Sequence, residues 1–132
     1  MKRNSLIFLA LIFLLGCESD RHWKKHCVTG KIVGQKCYVY ALQLNLPILG
    51  AQKWTKQNQA TGEIEGTYDN VIGLRNLPEE FQNEGTVLFV TLRIPTPTDE
   101  PLDCYTDMPG PPAPMYEVEA ASTETCMEVQ MF

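Results

Sequence analysis

The groups in this chain that could do chemistry are few, and their placement is informative. Its two histidines, His22 and His26, stand beside Cys27 near the amino terminus. No Cys-x-x-Cys pair accompanies them, so the donor pattern of a zinc site is incomplete, and Met108, Met115, Met127 and Met131 are too scattered for a copper cluster. Carboxylates are plentiful, among them Glu63 and Glu65, Glu79 and Glu80, and Glu117 and Glu119. Acids two apart on a strand share one face, and these are expected to face solvent. Catalysis needs a positioned nucleophile and base, or a metal. With both histidines so near the amino terminus, no Ser-His or Cys-His pair is expected on the folded domain. No glycine-rich phosphate loop occurs either. The chain is therefore expected to be non-enzymatic, with no cofactor and no bound metal. What remains is a set of cysteines, Cys17, Cys27, Cys37, Cys104 and Cys126, and an aromatic and acidic segment around one of them, Leu102-Asp103-Cys104-Tyr105-Thr106-Asp107.

Cys17 has a context of its own. Lys2 and Arg3 precede an unbroken apolar run from Leu6 to Leu15, which is the plan of an export signal. The run is about half the roughly 20 residues that a membrane-spanning helix needs. Leu14-Leu15-Gly16-Cys17 resembles the lipobox cut by the lipoprotein signal peptidase. The expectation is a bacterial lipoprotein: residues 1–16 removed, Cys17 lipidated, 17–26 a tether, and 27–132 one small exported domain. Buried methylenes stabilise such an anchor by about 0.8 kcal/mol each, so two or three acyl chains hold it permanently. By resemblance to the sorting signals of enteric lipoproteins, Glu18 after the cysteine implies the outer membrane of the cell envelope. With Cys17 used in this way, Cys27, Cys37, Cys104 and Cys126 form an even set. In an exported chain they imply two disulfides, with three connectivities open.

Charge is segregated along the chain. Seven basic residues and no acid lie between Arg21 and Lys56, whereas from Glu63 onward Arg75 and Arg93 are the only bases among fourteen acids. The net charge of −5 argues against a nucleic-acid partner.

Period-two patterning predicts an all-β domain. Strands are expected at 28–33, at 36–45 (with Tyr38, Tyr40, Leu42 and Leu44 on one face), at 63–74 with a break at Asp69-Asn70, at 86–94 and at 115–121. The 86–94 segment is apolar on both faces at its start, so it is expected to be central. Residues 48–62 lack a clean period and read as a long loop. Leu77 to Phe81 reads as one helical turn, with Pro78 at its start and Glu79 and Glu80 at its positive end. Seven prolines between Pro95 and Pro114 make that stretch a stiff connection, because proline fixes φ and removes amide donors. Closing five short strands removes exposed edges. The expected fold is therefore a small closed barrel of the oligonucleotide/oligosaccharide-binding type, with a helical turn before its fourth strand.

Asn76-Leu77-Pro78-Glu79-Glu80-Phe81, followed after two residues by Glu84-Gly85 and an alternating strand, resembles a segment of small Bacteroidetes-type lipoproteins with such a barrel. Gly30-Lys31-Ile32-Val33, Cys37 and Cys104 extend the resemblance, which spans roughly residues 28–120. The 46–62 stretch, Cys27 and Cys126 lie outside it. The resemblance implies a Cys37–Cys104 disulfide, which leaves Cys27 for Cys126; the alternative, 27–37 with 104–126, stays open. In architecture the chain also resembles the potempins, lipoproteins that block secreted metallopeptidases. The expected function is membrane-anchored inhibition of such a peptidase by a monomer, through the disulfide-pinned loop Leu102 to Asp107 with Tyr105 as its aromatic anchor. The rival expectation is an accessory envelope lipoprotein that binds a protein or small ligand, with an apolar concavity beneath the 46–62 stretch.

Overall fold

A computed structural model describes residues 26–99 and 110–126. Cys17, His22 and the loop residues Leu102, Asp103, Cys104, Tyr105, Thr106 and Asp107 lie outside the described residues. So does all but the first residue of the carboxy-terminal segment 126–132. Six strands follow in chain order: β1 (His26–Lys36), β2 (Val39–Leu44), β3 (Gln52–Gln57), β4 (Ile64–Arg75), β5 (Val87–Arg93) and β6 (Met115–Ser122). A 3-10 turn at Glu79–Phe81 separates β4 from β5. β1 pairs with β2 and β5, β5 with β6, β6 with β4, and β4 with β2. The ring β1-β2-β4-β6-β5 thus closes on itself, antiparallel throughout except for the parallel β4–β6 contact. This is the five-stranded barrel expected, with its helical turn leading into the fourth strand of the ring.

Alternation explains the interior. Ile32, Leu42, Leu44, Ile72, Leu74, Leu88, Val90 and Leu92 form one buried cluster, with Tyr40, Tyr116 and Val118 packed against it. The expected inward face of the second strand holds for Tyr40, Leu42 and Leu44 but not for Tyr38, which is 85% exposed. Cys37 and Tyr38 instead make the two-residue turn between Lys36 and Val39, with φ of 56° and 62°. Positive φ at both central positions marks a type I′ hairpin turn. At the start of β5, Val87 is exposed although the strand is central, with neighbours on both sides, and Ile94, just past its end, is exposed too. β1 begins at His26, which the sequence assigned to the tether.

The stretch expected to be a long loop holds a strand. β1 shifts register between Ile32 and Gly34, and Val33 joins Ala41 and Val71 in a second cluster. Trp54 from β3 caps that cluster with Tyr68 beside it. A side chain at Gly34 would crowd the indole, its Cβ 3.1 Å from the ring. β3 carries this one apolar residue among polar ones, so no periodicity announces it. The expected break at Asp69-Asn70 is a bulge in a continuous β4. Asn70 takes φ of 56°, and the β3 register shifts opposite it. Beyond the bulge β4 leaves β3 and pairs with β2.

Cys27 and Cys126 are disulfide-bonded, with Cα atoms 5.8 Å apart and a sequence separation of 99. This excludes the alternative connectivity. Cys37 is also disulfide-bonded, but its expected partner Cys104 lies outside the described residues. A cross-link spanning so much of the chain restricts the unfolded state strongly. Replacing Cys27 and Cys126 with serine is expected to lower stability by about 2–5 kcal/mol in urea unfolding. Trp54→Ala is expected to cost about 3 kcal/mol in the same measurement, through loss of a large buried side chain and the cavity left behind.

Candidate functional site

The two chain segments that flank residues 100–109 are each fastened to the barrel. On the incoming side, Arg93 at the end of β5 grips Asp99 bidentately. Its Nη1 donates to Oδ2 at 2.9 Å and its Nη2 to Oδ1 at 2.7 Å. The Thr96 N–H donates to the same carboxylate at 2.6 Å, and the Asp99 N–H returns to the Thr96 carbonyl at 3.0 Å. Fork-to-fork pairing fixes orientation as well as distance, so Pro95 to Asp99 forms a closed small turn. The Arg93 guanidinium, with the Thr96 amide, holds the Asp99 carboxyl well below the usual carboxylate range. Asp99 in turn raises Arg93.

On the outgoing side, the Trp54 indole N–H donates to the Gly110 carbonyl at 3.2 Å, and the Gly73 N–H donates to the Pro114 carbonyl at 2.8 Å. Pro112 is fully buried. Gly73 is what lets this segment lie down on β4: a Cβ there would collide with the Pro112 carbonyl oxygen and the Val39 side chain. The Tyr116 hydroxyl donates to the Leu49 carbonyl at 2.8 Å, tying the β2–β3 connection to the start of β6.

Between these attachments lies a buried acid that the sequence predicts to be solvated. Glu117 is 2% exposed. It stands opposite Arg75 in the β4–β6 ladder and opposite Arg93 in the β5–β6 ladder, so one carboxylate is flanked by a base on each side. Arg75 Nε lies 3.1 Å from Oε1, and Asn76 donates to Oε2. A buried charge is tolerated only when paired in this way. Alternation with inward Tyr116 and Val118 says only that Glu117 points out of the barrel. Its cover comes from residues distant in sequence. The available signal was that Arg75 and Arg93 are the sole bases of the acidic half, and each sits against acids: Glu117 for Arg75, and Asp99 and Glu119 for Arg93.

A separate open groove of about 520 Å³ runs between the β1–β2 turn and the tip of the β3–β4 hairpin. Gln35 and Tyr38 form one wall and Lys56 to Ala60 the other. Lys56 contacts Glu84 at 2.8 Å and Glu65 at 3.2 Å. Those carboxylates, Glu84 foremost, raise its ammonium above the ordinary lysine range. Asn58 is spent locally, accepting from the Ala60 and Thr61 amides and donating to Glu65.

Of the candidate residues, Cys27 and Cys126 are brought together. Cys37 lies at the groove rim, away from them in a turn of its own. Glu63, Glu79 and Glu80 are exposed, as expected. Among the described residues no three His, Cys, Asp or Glu side chains converge as a metal site requires. The chain matches no protein-family model and no curated protein.

The Asp99 clamp has a defined pH signature. Because the folded pKa is depressed, the clamp's contribution to stability is complete above the unfolded carboxylate value of about 4. It is lost as pH falls through the lower folded value. In a carboxyl NMR titration Asp99 is expected to remain ionised at about pH 3, and Arg93→Ala to return it to the ordinary range.

Proposed function

We propose that this chain is a lipid-anchored, non-catalytic binding protein of the bacterial envelope that inhibits a secreted metallopeptidase through the segment around Leu102 to Asp107. The observation that supports this reading is the fastening of both flanks of that segment. Asp99 is clamped by Arg93, and Gly110 and Pro114 are held by Trp54 and Gly73. Anchored flanks rich in proline lower the ordering cost of association, so few contacts suffice for tight binding. Tyr105 belongs to the residue types enriched at binding hot spots. Lipidation at Cys17 would hold the protein at the membrane, where a secreted peptidase passes.

The test is a titration of the protein from residue 18 onward against purified metallopeptidases secreted by the same bacterium. Stoichiometric inhibition of at least one is expected, with Tyr105→Ala weakening it by about thirty-fold, the scale of a hot-spot truncation. Inhibition of none of them by the unmodified protein refutes the reading.

A further inference from the structure

We infer that Tyr38 and the groove behind it form a second contact surface for the same protein partner, taking an extended polypeptide segment of it; this rests on the inhibitor reading above. The starting observation is conformational. Tyr38 has φ of 62° and follows Cys37 with φ of 56°. Type I′ turns demand such angles and ordinarily supply them with asparagine and glycine. A bulky residue in the left-handed region is disfavoured by its own Cβ, at a cost of order 1 kcal/mol. The strain has no packing return, since the Tyr38 side chain is the most exposed large hydrophobic of the described residues, at 85%. A strained, exposed aromatic held on a rigid turn points to a role in recognition. The neighbouring Cys37 is disulfide-bonded, so the ring stands on a backbone braced by both a hairpin and a cross-link.

The surface behind the ring suits a polypeptide. Across the groove stand Gln57 and Gln59, with Gln35 on the near wall. Among the described residues the Gln35 and Gln59 amides make no hydrogen bond, and Gln57 uses only its N–H, on the Gly62 carbonyl. Each amide offers a donor and an acceptor together, which is what the alternating groups of an extended main chain require. β3, which runs into this wall, pairs with β4 alone among the described residues. Its other edge supplies further backbone donors and acceptors in the same sense. One lysine set against Glu65 and Glu84 leaves the lining slightly acidic, which disfavours a phosphate-bearing ligand. Tyrosine supplies large contact area at small entropy cost, as hot-spot residues do.

Tyr38→Gly separates recognition from folding, because glycine accepts the turn geometry without strain. The variant is expected to melt a few degrees higher than the parent protein, yet to inhibit the target metallopeptidase about thirty-fold less well. Tyr38→Phe, which keeps the ring, is expected to retain inhibition within a few-fold. Unchanged inhibition by Tyr38→Gly, with the parent protein still active, overturns this assignment and leaves the inhibitor reading intact. A lower melting temperature for Tyr38→Gly also overturns it, by showing that the tyrosine serves the fold. A parent protein that inhibits no target removes both.

Discussion

β4 makes three different contacts along its length, and the ring closes only because it does. Its first half pairs with β3 outside the barrel, while its second half lies between β2 and β6 within it. The change of partner falls at Asp69-Asn70, where one residue in the left-handed region inserts a bulge. The bulge adds one residue between Tyr68 and Val71, so both can face the outer cluster under Trp54, while Ile72 alternates to the interior. Closure also satisfies both edges of every strand in the ring, which an open sheet of five short strands would leave exposed.

The same strand organises the flanks of the proline-rich connection. Gly73 accepts the outgoing flank, and Arg75, two residues on, faces the buried Glu117. Arg93 completes the row and reaches on to Asp99 on the incoming flank. A line of side chains across β4, β6 and β5 therefore joins the two ends of a long excursion to one rigid wall. Burial makes Glu117 the sensitive member of this line: removing Arg75 leaves its carboxylate away from water without its paired charge. The described flanks of the connection are thereby fixed to the barrel wall.

The outer cluster under Trp54, which also holds Gly110, has an analogous role for the β3–β4 hairpin. It holds the β3–β4 hairpin against β1, while Lys56 ties the hairpin to Glu84 across the strand. That placement sets the width of the groove whose far rim carries Tyr38. The aromatic that stabilises and the aromatic that is exposed thus stand on opposite sides of one surface. The first is buried by a bulge in β1, and the second is lifted out by a turn whose backbone angles suit glycine better.

The sequence by itself determined the all-β class, the strands whose apolar residues recur at period two, the helical turn after Asn76 and the interior residues of the barrel. Those features depend on local chain geometry, where alternation alone decides which face is buried. Only the tertiary structure decided the rest. β3 exists because a bulge in β1 exposes Val33 for Trp54 to cover, and a single tryptophan among polar residues leaves no period to read. Glu117 is buried because Arg75 and Arg93 meet it from neighbouring strands, although its own strand places it outward. Tyr38 leaves the face that its spacing predicts because the hairpin takes it and Cys37 for the turn. For β3 and Glu117 the deciding contact joins residues far apart in the chain, and local pattern carries no record of a partner that folding alone brings near; for Tyr38 the decision is which two residues make the turn, which alternation by itself leaves open.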